Sequence, residues 1–353
     1  MKQIPLTLIS SAGGCASKIG PNELEKLIIG LNLPDSYSKS VIHSYEDAGF
    51  VKIGSQIIIA QSIDVITPVS DDPSIFGAIA TAHALNDLYA KGAKPLTGLL
   101  FLGLPYPLVS TDSARKILQG AIDKLFEAKA SMLGGHTISS KELQLGLAVT
   151  GVVNGSPITN TECKEGDTLI LTKPLGSGII VTALKLSNAE IPINNFTKDI
   201  VDNCQHIMME LNSVSSEIML EVGAHACTDV TGFGFIGHLM NMLSKNRFSA
   251  EIQMSAIPTM SGAIELASQD IVSAGCERNA AFWWEDCIFY ENSLPLAQKM
   301  ILFDPQTSGG LLISTAEDKA QVLLDKLHNA GINHANIVGK ITQRTTAPII
   351  LKK

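Results

Sequence analysis

The chain has 353 residues, of which 45% are hydrophobic and 17% charged, with 26 basic against 34 acidic side chains and a formal net charge of −8. At about 150 residues per domain this length predicts two domains, and the apolar content excludes a disordered chain. The acidic balance excludes a protein built to grip nucleic acid, which needs a surplus of Lys and Arg, but it leaves room for a nucleotide enzyme whose metal ions offset the charge.

Near the N-terminus, Lys2, an apolar run over 4–9 and small residues up to Cys15 imitate a lipoprotein signal. Pro5 and Thr7 break that run, and it is too short for a signal core. The longest uncharged stretches, 95–111 and 143–161, carry prolines or polar residues, so no membrane span is expected. Further along, 56–63 reads as a strand, 75–91 as a helix and 96–102 as a strand. A helix is expected over 111–130, with Asp112 early and Lys124 and Lys129 late to suit its dipole, then a strand over 143–153. The turn-rich segment NGSPITNTECKEG (154–166) predicts the boundary between a domain over 1–155 and another over 156–353. Beyond it come a strand at 168–171, helical patterns at 178–186, 197–222, 235–244 and 316–329, and strands at 337–341 and 348–351. The pattern is a two-domain α/β or α+β protein. Cys15, Cys163, Cys204, Cys227, Cys276 and Cys287 are scattered without a C-x-x-C pair, so neither a zinc site nor a disulfide framework is indicated, and a reducing cytoplasm is the expected setting.

Four aspartates stand in weakly charged surroundings: Asp47 in YEDAGF, Asp64 in QSIDVITP, Asp87 in HALNDLYAKGAKP and Asp229 in CTDVTGFG. Carboxylates of this kind suit magnesium held together with phosphate oxygens, and any one of them suits a helix cap or turn equally well. Cys15 and Lys18 share the small-residue loop GGCASKIGP, where a lysine could lower the thiol's pKa or hold an anion; the alternative is a tail with an incidental cysteine. Gly232, Gly234 and Gly237 match G-x-G-x-x-G, with Glu251 following. Asp229 stands where an apolar strand end belongs, so a tight turn into a helix near Phe235 is expected rather than a dinucleotide fingerprint. Gly134, Gly135, His136 and Thr137 read as a turn whose amides and hydroxyl could meet phosphate or base, or as a plain loop. His83 and Asp87, at i,i+4, are either a metal pair or an ordinary packing pair. DPQTSGG (304–310) holds more hydroxyl, amide and glycine than a hairpin needs.

Taken in order, GGCASKIGP, YEDAG, SIDVITP, LNDLYAKGAKP, GGHT, LGLAVTG, LTKPLGSG, TDVTGFGFIGHL, ERN and DPQTSGGLL resemble the selenophosphate synthetase (selenide, water dikinase) family nearly end to end. Its superfamily also holds aminoimidazole ribonucleotide synthetase, thiamine-monophosphate kinase and a hydrogenase maturation protein. The resemblance implies an N-terminal mixed sheet that pairs in a homodimer, a C-terminal α/β domain, and a magnesium-dependent conversion of ATP, selenide and water to selenophosphate, AMP and orthophosphate. It further implies that Cys15 is catalytic and Lys18 essential in a mobile loop over 1–20. Asp47, Asp87 and Asp229 would hold Mg2+, Asp64 would serve the nucleotide site, and Ser44, Tyr45, Glu46, Gly135, His136 and Thr137 would line ATP. Three departures stand out: Ser17 in place of a second cysteine, Glu46 where relatives often carry Asp, and His83 where Asn is expected. Another ATP-dependent branch of the superfamily (small-molecule kinase or amidine cyclisation), or a non-catalytic nucleotide-binding dimer, are the competing expectations.

Overall fold

The computed structural model describes residues 4–28, 46–53, 57–243, 247–289 and 294–353. After a short helix α1 (Pro21–Ile28), the first half is built from strands β1 (Gly49–Ile53), β2 (Ile57–Ile66), β3 (Ala93–Leu104), β4 (Ser131–Ser139) and β5 (Gln144–Val153), with helices α2 (Pro73–Ala90) and α3 (Thr111–Glu127) between them. The sheet order is β1-β2-β5-β3-β4, antiparallel except for the β3–β4 pair. Alternate residues of β5, Leu145, Leu147, Val149 and Val153, are buried on the face that α2 covers, as the period of two in a strand requires.

Helix α2 begins at Pro73, two residues before the expected start at 75. Asp72 accepts hydrogen bonds from the Ser74 and Ile75 amides at 2.8 and 3.1 Å, and Pro73 takes the first turn. Its apolar residues go all the way round, and from Phe76 to Ala90 nearly every side chain is buried, the mark of a helix enclosed on all sides. It packs against its own sheet on one side and against elements of the second half on the other. Gly120 lets α3 lie directly on it, since a Cβ there would stand 2.0 Å from the Ser74 carbonyl oxygen.

The second half runs β6 (Thr168–Leu171), α4 (Ser177–Asn188), α5 (Lys198–Met209), α6 (Ser213–Val222), β7 (Ala226–Asp229), α7 (Gly234–Met242), β8 (Phe248–Gln253), α8 (Ala263–Ala267), α9 (Ala274–Trp283), β9 (Cys287–Phe289), α10 (Leu296–Ile301), β10 (Leu311–Thr315), α11 (Glu317–Asn329), β11 (Asn336–Gln343) and β12 (Ile349–Lys352). Its seven strands are ordered β7-β10-β6-β11-β8-β12-β9, and β12 is parallel to both neighbours. The segment 154–167 links the last strand of the first sheet to the first strand of the second. Among the described residues no helix is long and apolar enough to cross a membrane, and all six cysteines are free.

Three expectations change. The helical pattern over 197–222 is two helices, because buried Asn212 leaves the helical path and donates to the Gly309 carbonyl at 2.9 Å and to Asn86 Oδ1 at 3.0 Å. Residues 134–137 are not a turn but part of β4, whose pairing with β3 absorbs Gly134 at a register shift. The TGFG turn does follow a strand: β7 is only four residues long, and pairing with β10 rather than its own apolar content holds it extended. The helix beyond begins at Gly234, close to where it is expected.

Candidate active site

Four elements deliver the acidic side chains to the junction between the two sheets. Asp64 comes from β2, Asp87 from α2, Asp229 from the last position of β7, and Asp47 from the residues just before β1. Asp47 Oδ1 accepts from Asn160 Nδ2 at 3.0 Å and from Thr228 Oγ1 at 3.1 Å, which ties the two halves together. Ser62 Oγ donates to Asp87 Oδ2. Asp229 Oδ2 is buried with no hydrogen-bond partner among the described residues. Single ligand atoms of Asp47, Asp229 and His238 lie within 4.8 Å of one another.

The N-terminal segment folds onto this junction. An isolated bridge pairs Gly14 with Thr67, and the Cys15 amide donates to Thr307 Oγ1 at 3.2 Å. Gly14 has φ +56°, and a Cβ there would come 2.2 Å from that same hydroxyl, so glycine is required by both conformation and space. Cys15 is thereby buried, 1% exposed, with its Sγ 3.1 Å from His83 Nε2. Lys18 Nζ reaches Asp64 Oδ1 at 2.7 Å, and His83 Nε2 is 3.3 Å from Asp64 Oδ2. Arg278 Nη2 donates to the Ala16 and Lys18 carbonyls at 2.9 and 3.2 Å. The neighbouring Asn279 Nδ2 donates to the Gly232 and Phe303 carbonyls, so the ERN motif braces the loop and the TGFG turn together. A cleft of about 560 Å3, lined by Ser17, Lys18, Glu23, Thr67, Glu142 and Arg278 among others, opens beside Lys18.

Burial and like charge raise the Asp87 carboxyl well above its usual range, with Asp229, Asp64 and Asp47 as the charges responsible. Asp229 is raised in the same way, by burial first and then by Asp47 and Asp64. Asp64 goes the other way: burial opposes its ionisation, but Lys18 and then His83 hold it below the usual carboxylate range. Burial pushes the Cys15 thiol up to about 12, against the pull of Lys18. Burial also pushes His238 down to about 4. The carboxylate oxygens and the unpartnered Asp229 atom fit a hard divalent cation, which takes oxygen ligands and removes the charge conflict.

The structure thus brings together Cys15, Lys18, Asp47, Asp64, Asp87 and Asp229. Glu46 is also there, but it faces protein: its oxygens accept from the Asn160 amide at 3.1 and 3.0 Å, and Oε2 pairs with Lys91 at 3.1 Å. Ser44 and Tyr45 lie outside the described residues. Gly135, His136 and Thr137 are not gathered in: they sit on exposed edge strand β4. The sheet row Asp64–Leu147–Leu100–Gly135 puts Gly135 three strand spacings, about 14 Å, from Asp64. His83 and Asp87 share a helix but not a partner, since His83 turns to Cys15 and Asp64 while Asp87 turns to Ser62 and the other acids.

Sequence reasoning passed over Lys91, Asn160, Thr228 and His238. Lys91 lies inside LNDLYAKGAKP, four residues after Asp87, but the acids it pairs with, Glu46 and Asp47, are remote in sequence. It is fully buried, its Nζ 3.0 Å from Asp47 Oδ2, and burial's pull on its charge is overcome by Asp47 and Glu46, which hold it above the ordinary lysine range. DPQTSGG proves to be a buried brace. Asp304 Oδ2 accepts from the Gly178 and Ile179 amides at the start of α4, Gln306 Oε1 from those of Gly176 and Ser177, and Gly309 O from Asn86 and Asn212.

Two family models match this architecture half by half: the AIR synthase related protein N-terminal domain over residues 45–153 and the corresponding C-terminal domain over 164–352. Solved structures agree on the fold. Thiamine monophosphate kinase from Aquifex aeolicus superposes with a TM-score of 0.63 at 14% identity, covering 94% of this chain and 95% of its own. The hydrogenase maturation protein HypE gives 0.60 at 15%, covering 88% and 89%. Among curated sequences, "Selenide, water dikinase" of Caldanaerobacter subterraneus subsp. tengcongensis is 38% identical over 100% of both chains. That of Aliarcobacter butzleri is 37% identical over 98% of both. The chain belongs to the selenide, water dikinase family.

Proposed function

We propose that this chain converts ATP, selenide and water to selenophosphate, AMP and orthophosphate. The observation that carries the reading is the docking of the Cys15–Lys18 loop onto Asp64, beside buried Asp87 and Asp229 and half-buried Asp47. Transfer of a phosphoryl group is mostly positioning and charge stabilisation. Asp47, Asp87 and Asp229 would hold magnesium, which when bound supplies positive charge to the triphosphate oxygens. Lys18, held at Asp64 and lining the open cleft, brings a cation to the phosphoryl group in transfer. Cys15 faces the same point with its sulfur shielded from solvent, which suits handling of an easily oxidised selenium species. Glu46 supports the nucleotide site through Asn160 and Lys91 rather than by direct contact.

Residues 1–155 then form the nucleotide and pairing half and 156–353 the supporting half. The sheet face opposite α2 exposes Ile63 at 64% and Leu99 at 50%, and β4 next to it exposes Leu133 at 64%, an apolar surface that supports a homodimer. Six free thiols suit a reducing cytoplasm. Anaerobic incubation with ATP, magnesium and selenide, followed by phosphorus NMR, tests the reaction. A phosphorus–selenium species with AMP is expected, and ADP alone would sink the reading. Sedimentation of the native chain and of an Ile63→Lys, Leu99→Lys double variant tests the dimer: the variant should be a monomer, and a native monomer overturns the pairing.

A further inference from the structure

His83 occupies the middle of α2, is 0% exposed, and has no part in the reaction as described so far. Its two ring nitrogens meet different kinds of group. The backbone N–H of Ser308, from the DPQTSGG brace, donates to Nδ1 at 3.2 Å. On the other edge Nε2 faces Cys15 Sγ at 3.1 Å and Asp64 Oδ2 at 3.3 Å. A backbone N–H can only donate, so Nδ1 keeps its lone pair and the proton of the neutral ring sits on Nε2. Burial, with Lys18 and Lys173 acting in the same sense and Asp64 against it, lowers the imidazole to about 4, so the ring is neutral in ordinary buffer. A histidine that takes a proton from a thiol must turn a lone pair toward the sulfur. Here the ring turns an N–H toward it.

We infer that His83 is a positioning residue for Cys15: an Nε2–H donor, fixed in one tautomer by the Ser308 amide, that holds the Cys15 sulfur as an acceptor beside the Lys18–Asp64 pair. No bond forms or breaks at His83, and no proton passes to it. Its work is geometric. Three segments remote in sequence, at 15, 83 and 308, set one sulfur lone pair, and a second acceptor at Asp64 keeps the donor in place when the thiol rotates away. The inference rests on the proposed role of Cys15, but its structural half can be read without turnover.

The test uses the full chain in two arms. In the first, long-range proton–nitrogen NMR on histidine-labelled protein reads ring tautomers, and loss of one of the eight histidine spin systems in His83→Gln assigns the residue. The expected result is a bare Nδ1 and a protonated Nε2 with no change between about pH 6 and 9. A proton on Nδ1, or a titration midpoint inside that range, overturns the inference. In the second arm, His83→Gln places an amide N–H near the Nε2 position while His83→Leu places none. Selenide-dependent kcat should fall roughly a hundredfold in His83→Leu and stay within about tenfold of the native rate in His83→Gln, with KM for ATP unmoved in both. Equal losses in two folded variants overturn the positioning role. A native chain that makes no selenophosphate would instead remove the proposed reaction and leave the tautomer to decide the assignment of His83.

Discussion

Replacing Lys91 with methionine should lower the unfolding temperature sharply in magnesium-free buffer, and magnesium should return part of the loss. The ammonium is 0% exposed, 3.1 Å from Glu46 Oε2 and 3.0 Å from Asp47 Oδ2, and it also donates to the Cys227 carbonyl at 2.9 Å and to Asn160 Oδ1. Methionine is close to the lysine stem in volume, so the substitution removes a charge without opening a large cavity. Taking one partner from a buried ion pair costs about 3–5 kcal/mol, because the remaining charge is left without compensation in a poorly solvated place. Here two carboxylates are left, and one of them, Asp47, is close enough for Asp229 and Asp87 to sense it. For domains of this size about 2–4 °C is lost per kcal/mol, which sets the expected fall at roughly 10 °C. A divalent cation bound by Asp47 would replace the missing charge, so the rise in unfolding temperature between EDTA and millimolar magnesium should be larger in Lys91→Met than in the native chain. Calorimetry or dye-based melting of both proteins in both buffers gives all four numbers. A metal-free difference under about 2 °C, or equal magnesium shifts in the two proteins, would refute the view of Lys91 as an internal counter-cation.

Cys15→Ser should bind ATP with native affinity by calorimetric titration and lose selenide-dependent turnover; full activity would show that the thiol is dispensable. Asp229→Asn removes a buried carboxyl that burial and the charges of Asp47 and Asp64 disfavour, so its metal-free melting temperature should rise by a few degrees, about 1 kcal/mol, while its magnesium-induced shift disappears. A variant that melts lower and keeps the shift would speak against a cation at Asp229. Asp304 carries a pH prediction. Burial raises this carboxyl from its ordinary 3.8 to about 7, against hydrogen bonds from Ile179, Gln306 and Gly178. Between those values the folded chain holds a proton that the unfolded chain has released, so stability falls as pH rises from about 4 to about 7, by an amount on the order of 4 kcal/mol. Asp304→Asn cannot ionise, and its melting temperature relative to the native chain should be higher at pH 8 than at pH 5. A difference that does not change with pH would remove Asp304 as the source.

Much of the fold is legible along the chain because it is local. The helical pattern over 75–91 lies within two residues of α2, the strand over 168–171 falls where its apolar run puts it, and the motif string from GGCASKIGP to DPQTSGGLL carries the family's signature. The misreadings share a cause. Asn212 breaks a helical pattern because its amide is needed by Gly309 and Asn86, roughly 100 residues away in each direction. Residues 134–137 become a strand because β3 offers a parallel edge, and β7 is extended because β10 pairs with it. Pairing partners of this kind leave no trace in a local window.

Residue type and local setting mark the groups able to do chemistry: a cysteine and a lysine three apart in a small-residue loop, and four aspartates in apolar settings. Which of them meet is set by how the two sheets and α2 pack together. Asp47, Asp64, Asp87 and Asp229 converge because β2, α2 and β7 end at one junction, whereas Gly135, His136 and Thr137 are carried to an edge strand across the sheet. Lys91 and His83 owe their roles to the same junction. One neutralises two acids and the other is turned by a backbone amide from residue 308, and neither could be read from spacing, since charge and tautomer are set by what lies within about 3 Å in space rather than by neighbours along the chain.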